Sequence, residues 1–295
     1  MKFAVRWLAL LLVSFLFPPL LMAKSPMTWA GCGITKSAFM LELAKAFKQE
    51  TGQDIYLSGG GATKGIREVA NGNVTLGGTC RHLILDDAEK GVKLHPVAWD
   101  ALVAITHPDV TVDNITHEQL RQVLTGKITN WRELGGEDQP IVLMLRNGKL
   151  SGVEMMAREL LFGDLNVEFV SQKILDESGP LEFSVKETPY AFGISGVSSS
   201  RRNGLKILNL DGIPPSQENI IRGSYKLFRP MYLVTSNTPS PEVKQFLAFV
   251  KSAKGQEIIS KTGTVNLDEG QHLWQPYRQH MKQVIKSGKG IFDKD

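Results

Sequence analysis

The chain reads as an α/β protein built around parallel strands, and two observations predict this. Short apolar strands alternate with amphipathic helices through the first third, and parallel strands need crossover helices that cover both faces of the sheet. In addition, three glycine-rich segments, Gly31-Cys32-Gly33-Ile34-Thr35-Lys36, Ser58-Gly59-Gly60-Gly61-Ala62-Thr63-Lys64 and Gly77-Gly78-Thr79-Cys80-Arg81, each read as a join between a strand and the first turn of a helix. Glycine lets backbone N–H groups approach a ligand, and a helix N-terminus adds partial positive charge. Ligands of such sheets bind beyond the carboxyl ends of the strands, where these loops fall. Three loops, each with threonine and Lys or Arg, point to one anion pocket.

Taken in order, the first strand covers 27–30. A helix is predicted over 37–51, with Phe39, Met40, Leu43 and Phe47 at helical spacing and Gly52 as its C-cap. A second strand (54–57), a second helix (63–70, closed by Asn71-Gly72) and a third strand (74–77) follow. Residues 94–106 form an apolar strand interrupted by Asp100. Thr116 with Gln119 three residues on predicts the N-cap of a helix that ends near Gly126, before a turn-rich stretch over 127–136. A strand at 141–145 leads into Arg146-Asn147-Gly148-Lys149-Leu150-Ser151-Gly152, a fourth loop ahead of a helix over 153–162. Strands are predicted at 192–197, 205–210 and 228–235, helices at 240–252 and 253–262, and a basic amphipathic tail helix at 271–285.

The N-terminus sets the compartment. Lys2 and Arg6 precede an apolar run over 7–22 that ends at Ala23, the pattern of a secretory signal cleaved near Ala23. The run is shorter than the roughly 20 residues that span a bilayer. The remainder is long enough for two domains. The chain has 34 Lys and Arg against 30 Asp and Glu, and cleavage removes two of the basic residues. So even a balance argues against nucleic acid or a membrane surface as a partner. The sequence also lacks the marks of an enzyme. Gly193-Ile194-Ser195-Gly196-Val197 lacks the last glycine of a nucleophile elbow, Gly-Lys never precedes Ser or Thr, and Gly31-x-Gly33-x-x-Lys36 misses the third glycine of a dinucleotide loop. No cofactor is expected, nor a metal, since Cys32, Cys80 and His82 leave a zinc site one ligand short.

The ordered set of segments resembles the phosphate-binding protein family of ABC importers, a branch of the type II periplasmic binding proteins. Besides the glycine loops, the resemblance rests on Leu124-Thr125-Gly126-Lys127-Ile128-Thr129-Asn130-Trp131, Glu133-Leu134-Gly135-Gly136, Ala191-Phe192-Gly193-Ile194-Ser195, and Tyr225 through Leu233. It covers about 27–267. The resemblance implies two α/β lobes, each a mixed sheet flanked by helices, with two hinge crossings near Trp99-Asp100 and Phe228–Met231 and a cleft that closes on its ligand. Lobe one would combine 24–100 with 231–267, lobe two would be 101–230, and 268–295 would be a tail beyond the family pattern. The function implied is capture of phosphate or a related small oxyanion in the periplasm for an ABC importer, as a monomer that meets a transporter permease. The alternatives are a binding module turned to sensing, surface or regulatory work, for which the basic tail offers a docking element, and a cysteine-dependent redox or metal protein on the same scaffold.

Carried over onto this chain, the ligand set is Gly33, Ile34, Thr35 and Lys36 from the first loop and Ser58, Gly60, Gly61, Ala62 and Thr63 from the second. Thr79, Cys80 and Arg81 come from the third loop, and Arg146, Ser151, Gly152 and Val153 from the opposite lobe. A tetrahedral oxyanion needs donors from several directions, and arginine adds a charged fork. Three departures stand out. Cys80 occupies the place where such phosphate binders often carry aspartate, Val153 replaces a threonine, and the Arg146-to-Ser151 interval is one residue longer than usual. Discrimination between phosphate and sulfate-like anions is therefore open. Cys32 and Cys80 end strands that are neighbours in this fold, so a disulfide between them is expected; free buried thiols and a redox or metal role are the alternatives.

Overall fold

The structure is a computed structural model that describes residues 26–290; the signal segment expected at 1–23 lies outside the described residues. In chain order the strands are β1 (Met27–Gly31), β2 (Ile55–Ser58), β3 (Leu76–Thr79), β4 (Val92–Thr106), β5 (Asn114–Ile115), β6 (Val142–Arg146), β7 (Lys173–Leu175), β8 (Ala191–Gly196), β9 (Lys206–Ile207), β10 (Asn209–Leu210), β11 (Phe228–Ser236) and β12 (Val265–Asn266). The helices are α1 (Gly33–Thr35), α2 (Leu41–Thr51), α3 (Gly61–Ala70), α4 (His117–Leu124), α5 (Gly152–Ala157), α6 (Ser178–Glu187), α7 (Val197–Arg202), α8 (Gln217–Ile221), α9 (Pro241–Lys251), α10 (Ala253–Lys261) and α11 (Trp274–Lys286).

One sheet runs through the molecule in the order β2-β1-β3-β11-β4-β8-β6-β7. Its core strand is β4, long enough to serve both lobes. From Val92 to Ala101 it pairs antiparallel with β11, and from Leu102 to Thr106 antiparallel with β8. On one side of that switch β1 is parallel to β2 and β3. On the other, β6 is parallel to β7 and β8. The sheet is therefore mixed. Parallel pairing brings the carboxyl ends of β1, β3 and β6, with the loops that follow them, toward the junction of the two lobes.

The apolar spacing read from the sequence is what packs. Phe39, Met40, Leu43 and Phe47 are buried, and Phe47 meets Phe246 of α9 edge to face with ring centroids 5.1 Å apart. Gly52 ends α2 in the left-handed region at φ 70°. The capping box of Thr116 and Gln119 opens α4. Several boundaries differ from the sequence reading: α3 and β4 each start two residues earlier, at Gly61 and Val92, and the strand expected over 205–210 is split into β9 and β10. The first helix starts at Gly33 and not at 37, because Cys32 caps it and its turn widens through Lys36–Met40 before α2. The third strand lies at Leu76–Thr79, two residues later than predicted. The helices α6, α7 and α8 were not predicted; Gly179-Pro180 and a run of serines mask the helical period in the first two.

The tail helix forms as predicted and lies across both lobes. Trp274 packs on Trp99 of β4 at 4.5 Å between ring centroids, while His280 Nε2 is 3.0 Å from the Glu159 carbonyl and Leu165 N–H donates to the Lys289 carbonyl. Among the described residues no helix is long and apolar enough to cross a membrane.

Candidate functional site

The ends of β1, β3 and β6 meet in a closed cleft between the lobes. Gly60 and Gly61, at φ 123° and 88°, adopt backbone conformations that side chains disfavour, and so turn the chain abruptly into α3, whose first turn carries no side-chain cap. A Cβ added at Gly61 would lie 3.2 Å from Nη2 of Arg146. Gly152 opens α5 so close to the other lobe that a Cβ there would lie 2.5 Å from Cys80 Sγ and 2.9 Å from the Ala62 Cβ. At Gly33 a Cβ would be 3.8 Å from that of Ser178. Bonds across the cleft hold it shut: Thr63 Oγ1 to the Leu150 carbonyl at 2.7 Å, Arg229 Nη1 to the Gly152 carbonyl at 2.9 Å, and Arg202 Nη2 to Glu42 at 3.1 Å.

Arg146 is the unsatisfied charge of this cleft. It is 7% exposed, and its guanidinium donates to the Ser178 hydroxyl at 2.7 Å and to the Asp176 carbonyl, both neutral. Among the described residues nothing accepts from its Nε. Glu154 is bonded to the Arg146 backbone N–H at 3.1 Å and not to its side chain; burial pushes that carboxyl up to about 7, against the pull of Arg146 and Arg158. Arg229, in the middle of the sheet on β11, is fully buried. Its Nη2 faces Asp100 at 3.4 Å, and its Nε also lacks a partner among the described residues. Asp100 in turn accepts from the N–H and hydroxyl of Ser198, at 3.1 and 2.6 Å, which fixes the start of α7.

The expected disulfide is not formed. Both cysteines are free and buried, with Sγ atoms 3.3 Å apart, well beyond the roughly 2.05 Å of an S–S bond. Cys32 Sγ is instead the N-cap of α1, accepting from the Thr35 N–H at 3.3 Å, with the Thr35 hydroxyl also 3.3 Å away. That hydroxyl donates to the Cys32 carbonyl at 2.9 Å. Cys80 Sγ lies between Cys32 and the first turn of α5.

Arg81 lies at the cleft, bonded to Leu150 and Thr63, but has no N–H to spare. It is fully buried, and its five N–H groups donate to Glu89 (Oε1 at 2.5 Å, Oε2 at 3.0 Å), the Leu150 and His82 carbonyls and the Thr63 hydroxyl, which leaves no donor for a ligand. The third loop also leads into a short 3-10 turn at Asp87–Glu89 and not into a helix, so it offers no helix N-terminus. Other predicted hydroxyls have partners within the protein. Ser58 donates to the Trp29 carbonyl, Thr79 is bonded to Arg81, and Ser151 caps α5 through the Glu154 N–H. Lys36 is half-buried, and Ile34, Ala62 and Val153 have buried apolar side chains, so they can contribute backbone only. Arg229 and Ser178 were missed by sequence reasoning. A lone arginine inside the apolar run Phe228–Ser236 was the available signal for the first; Ser178-Gly179 after a short strand was the signal for the second.

Two lobes on one shared sheet, with a buried guanidinium and converging loop amides between them, define a two-lobed solute-binding protein. Known proteins agree. A family model described as a PBP superfamily domain matches residues 31–254. The phosphate-binding protein PstS of Borreliella burgdorferi is 30% identical over 217 residues, 70% of this chain and 77% of that protein. PstS of Bacillus subtilis is 27% identical over 241 residues, covering 80% and 79%. A Clostridium perfringens structure, a putative phosphate ABC transporter substrate-binding protein with bound phosphate, superposes with TM-score 0.73 at 29% identity over 82% of this chain and 99% of that one. This chain belongs to the PBP superfamily, in its phosphate-binding protein (PstS) family, a group of transport binding proteins and not of enzymes.

Proposed function

We propose that this protein is the extracytoplasmic binding subunit of an ABC importer and takes up phosphate between its lobes. The observation that carries the reading is Arg146: a buried guanidinium that, among the described residues, has only neutral partners and a free Nε, at the meeting point of the α3 and α5 N-termini. An uncompensated buried charge is costly, and an oxyanion in reach of its fork relieves that cost. Amides from both lobes then act on one ligand, so binding favours the closed arrangement. The hinge in this reading is β4 near its switch of partners, together with the chain entering β11. The same family membership supports a cleaved signal, delivery to a permease and action as a monomer.

Calorimetry of the mature protein with phosphate, sulfate, arsenate and molybdate tests the reading. Tight, saturable binding of phosphate is expected, with lobe closure visible as a smaller radius of gyration in solution scattering. Absence of tight binding to all four anions would overturn it.

A further inference from the structure

Both ring nitrogens of His82 face acceptors. Nδ1 is 2.7 Å from the Leu83 carbonyl, and Nε2 is 2.5 Å from Oε1 of Glu159. A neutral imidazole has one N–H, so these two contacts need a second proton, on the ring or on the carboxyl. Glu159 is 1% exposed and its Oε2 has no partner, so among the described residues His82 is the one group that compensates it. In the lobe division read from the sequence, His82 belongs to lobe one and Glu159 to lobe two. Glu159 lies in the widened turn over Arg158–Phe162, at the far end of α5 from Gly152 and the cleft. Arg229 thus holds one end of that helix and His82 the other.

We propose that His82 is a positioning residue that couples lobe closure to a proton: as the lobes close on an oxyanion, one proton is taken up between His82 and Glu159, and it is released when they part. The inference rests on the reading of the cleft as an oxyanion site that closes on its ligand. The proton comes from solvent, which the ring still meets with 29% of its side chain exposed. Burial alone would lower the His82 ring. The hydrogen bond and charge of Glu159 and the bond to the Leu83 carbonyl outweigh burial and the charge of Arg81, and the ring is raised overall. Arg81 is itself held by Glu89. From the tail helix, His280 meets Glu159 only at its backbone carbonyl. Tyr277 of that helix and Tyr232 of β11 also act on Glu159 through space; burial pushes both phenols up, so they stay neutral. A ring raised in the closed protein favours closure fully below about pH 6.5, the ordinary histidine value, and that gain is lost as pH rises through the raised value. Across this window phosphate affinity falls by up to about tenfold per pH unit.

His82→Gln keeps a donor for Glu159 but does not titrate, and urea midpoints check that the variant is folded. Phosphate binding to both proteins is measured by calorimetry between about pH 5.5 and 8.5, in buffers of different ionisation enthalpy. The ionisation of phosphate itself is common to both and cancels in their difference. Relative to the variant, the wild type should gain affinity toward acid pH and take up as much as about one proton more per phosphate bound. In the wild type alone, the His82 ring followed by NMR should titrate at a higher midpoint with phosphate bound than without it. Parallel pH profiles with equal proton uptake, or a His82 midpoint that phosphate leaves unmoved, overturn the inference and leave the phosphate reading intact. Failure of both proteins to bind phosphate at any pH overturns both.

Discussion

Arg81 and Arg146 make an instructive pair. Both lie at the carboxyl ends of strands of the sheet, both sit beside glycine loops at the cleft, and both are almost wholly buried. Arg81 has a carboxylate, Glu89, that takes its fork with both oxygens, and every remaining N–H has an acceptor. Among the described residues Arg146 has a hydroxyl, a carbonyl and an idle Nε. A buried charge must be compensated somewhere. Where the chain supplies the counter-charge, the arginine is a strut; where it does not, the arginine is left to a ligand.

The largest expected effect breaks the Arg146 side. Arg146→Ala should lower phosphate affinity by about 2–4 kcal/mol, on the order of 100-fold or more, since a charge-assisted fork is lost. Stability in urea should change little or even rise, because the residue removed is an uncompensated charge. A variant that keeps wild-type affinity by calorimetry would show that the anion does not meet this guanidinium.

The converse holds at Arg81. Arg81→Leu strands Glu89, which is 3% exposed, and should cost about 3–5 kcal/mol of stability, as when one partner of a buried pair is removed. Affinity should remain within a few-fold of wild type wherever the protein is folded. Replacing both Arg81 and Glu89 by apolar residues should recover much of the loss. If Arg81→Leu instead lost affinity with unchanged urea unfolding, the contrast between the two arginines would be wrong.

That contrast marks the limit of what the sequence carries. Strands, glycine loops and the capping box at Thr116 are legible because their causes are local: alternation, turn conformation, and a cap three residues from its partner. The roles of the two arginines are not local. Glu89 lies eight positions beyond Arg81 in a charged, surface-like stretch, and only the turn at Asp87–Glu89 swings it inward. Arg81 therefore read as a ligand residue, while Arg229, with no loop to advertise it, was passed over. The thiol pair was half legible: the neighbouring strands fixed the proximity of Cys32 and Cys80, but not whether the sulfurs bond.

Glu154 sharpens the comparison through pH. It is the nearest candidate for an Arg146 counter-ion, yet it binds that residue's backbone, and burial raises it to about 7. A carboxyl that holds its proton more tightly when folded contributes stability at acid pH, and that contribution is lost as pH rises from the ordinary carboxylate range through about 7. Glu154→Gln should therefore flatten the stability profile over this window, recovering about 3 kcal/mol at its upper end. Urea midpoints measured across the window check this. A parallel profile would mean that Glu154 is ionised throughout, held by Arg158 at 3.7 Å, with the Arg146 guanidinium still lacking a bonded carboxylate among the described residues.

The smallest effect concerns the turn that carries the cleft's second wall. Ser151 caps α5 by accepting the Glu154 N–H at 3.1 Å, and its replacement by alanine should cost about 1 kcal/mol of stability. Because its hydroxyl proton is not needed for the cap, Ser151 can also donate toward a ligand beside Gly152. The two roles separate under Ser151→Asp, which keeps the cap but removes the donor and brings a negative charge. That variant should unfold in urea like the wild type while losing phosphate more completely than alanine does. Should aspartate bind phosphate as well as serine, Ser151 belongs with Arg81 among the struts, and Arg146 is the only side chain of this wall left facing the anion.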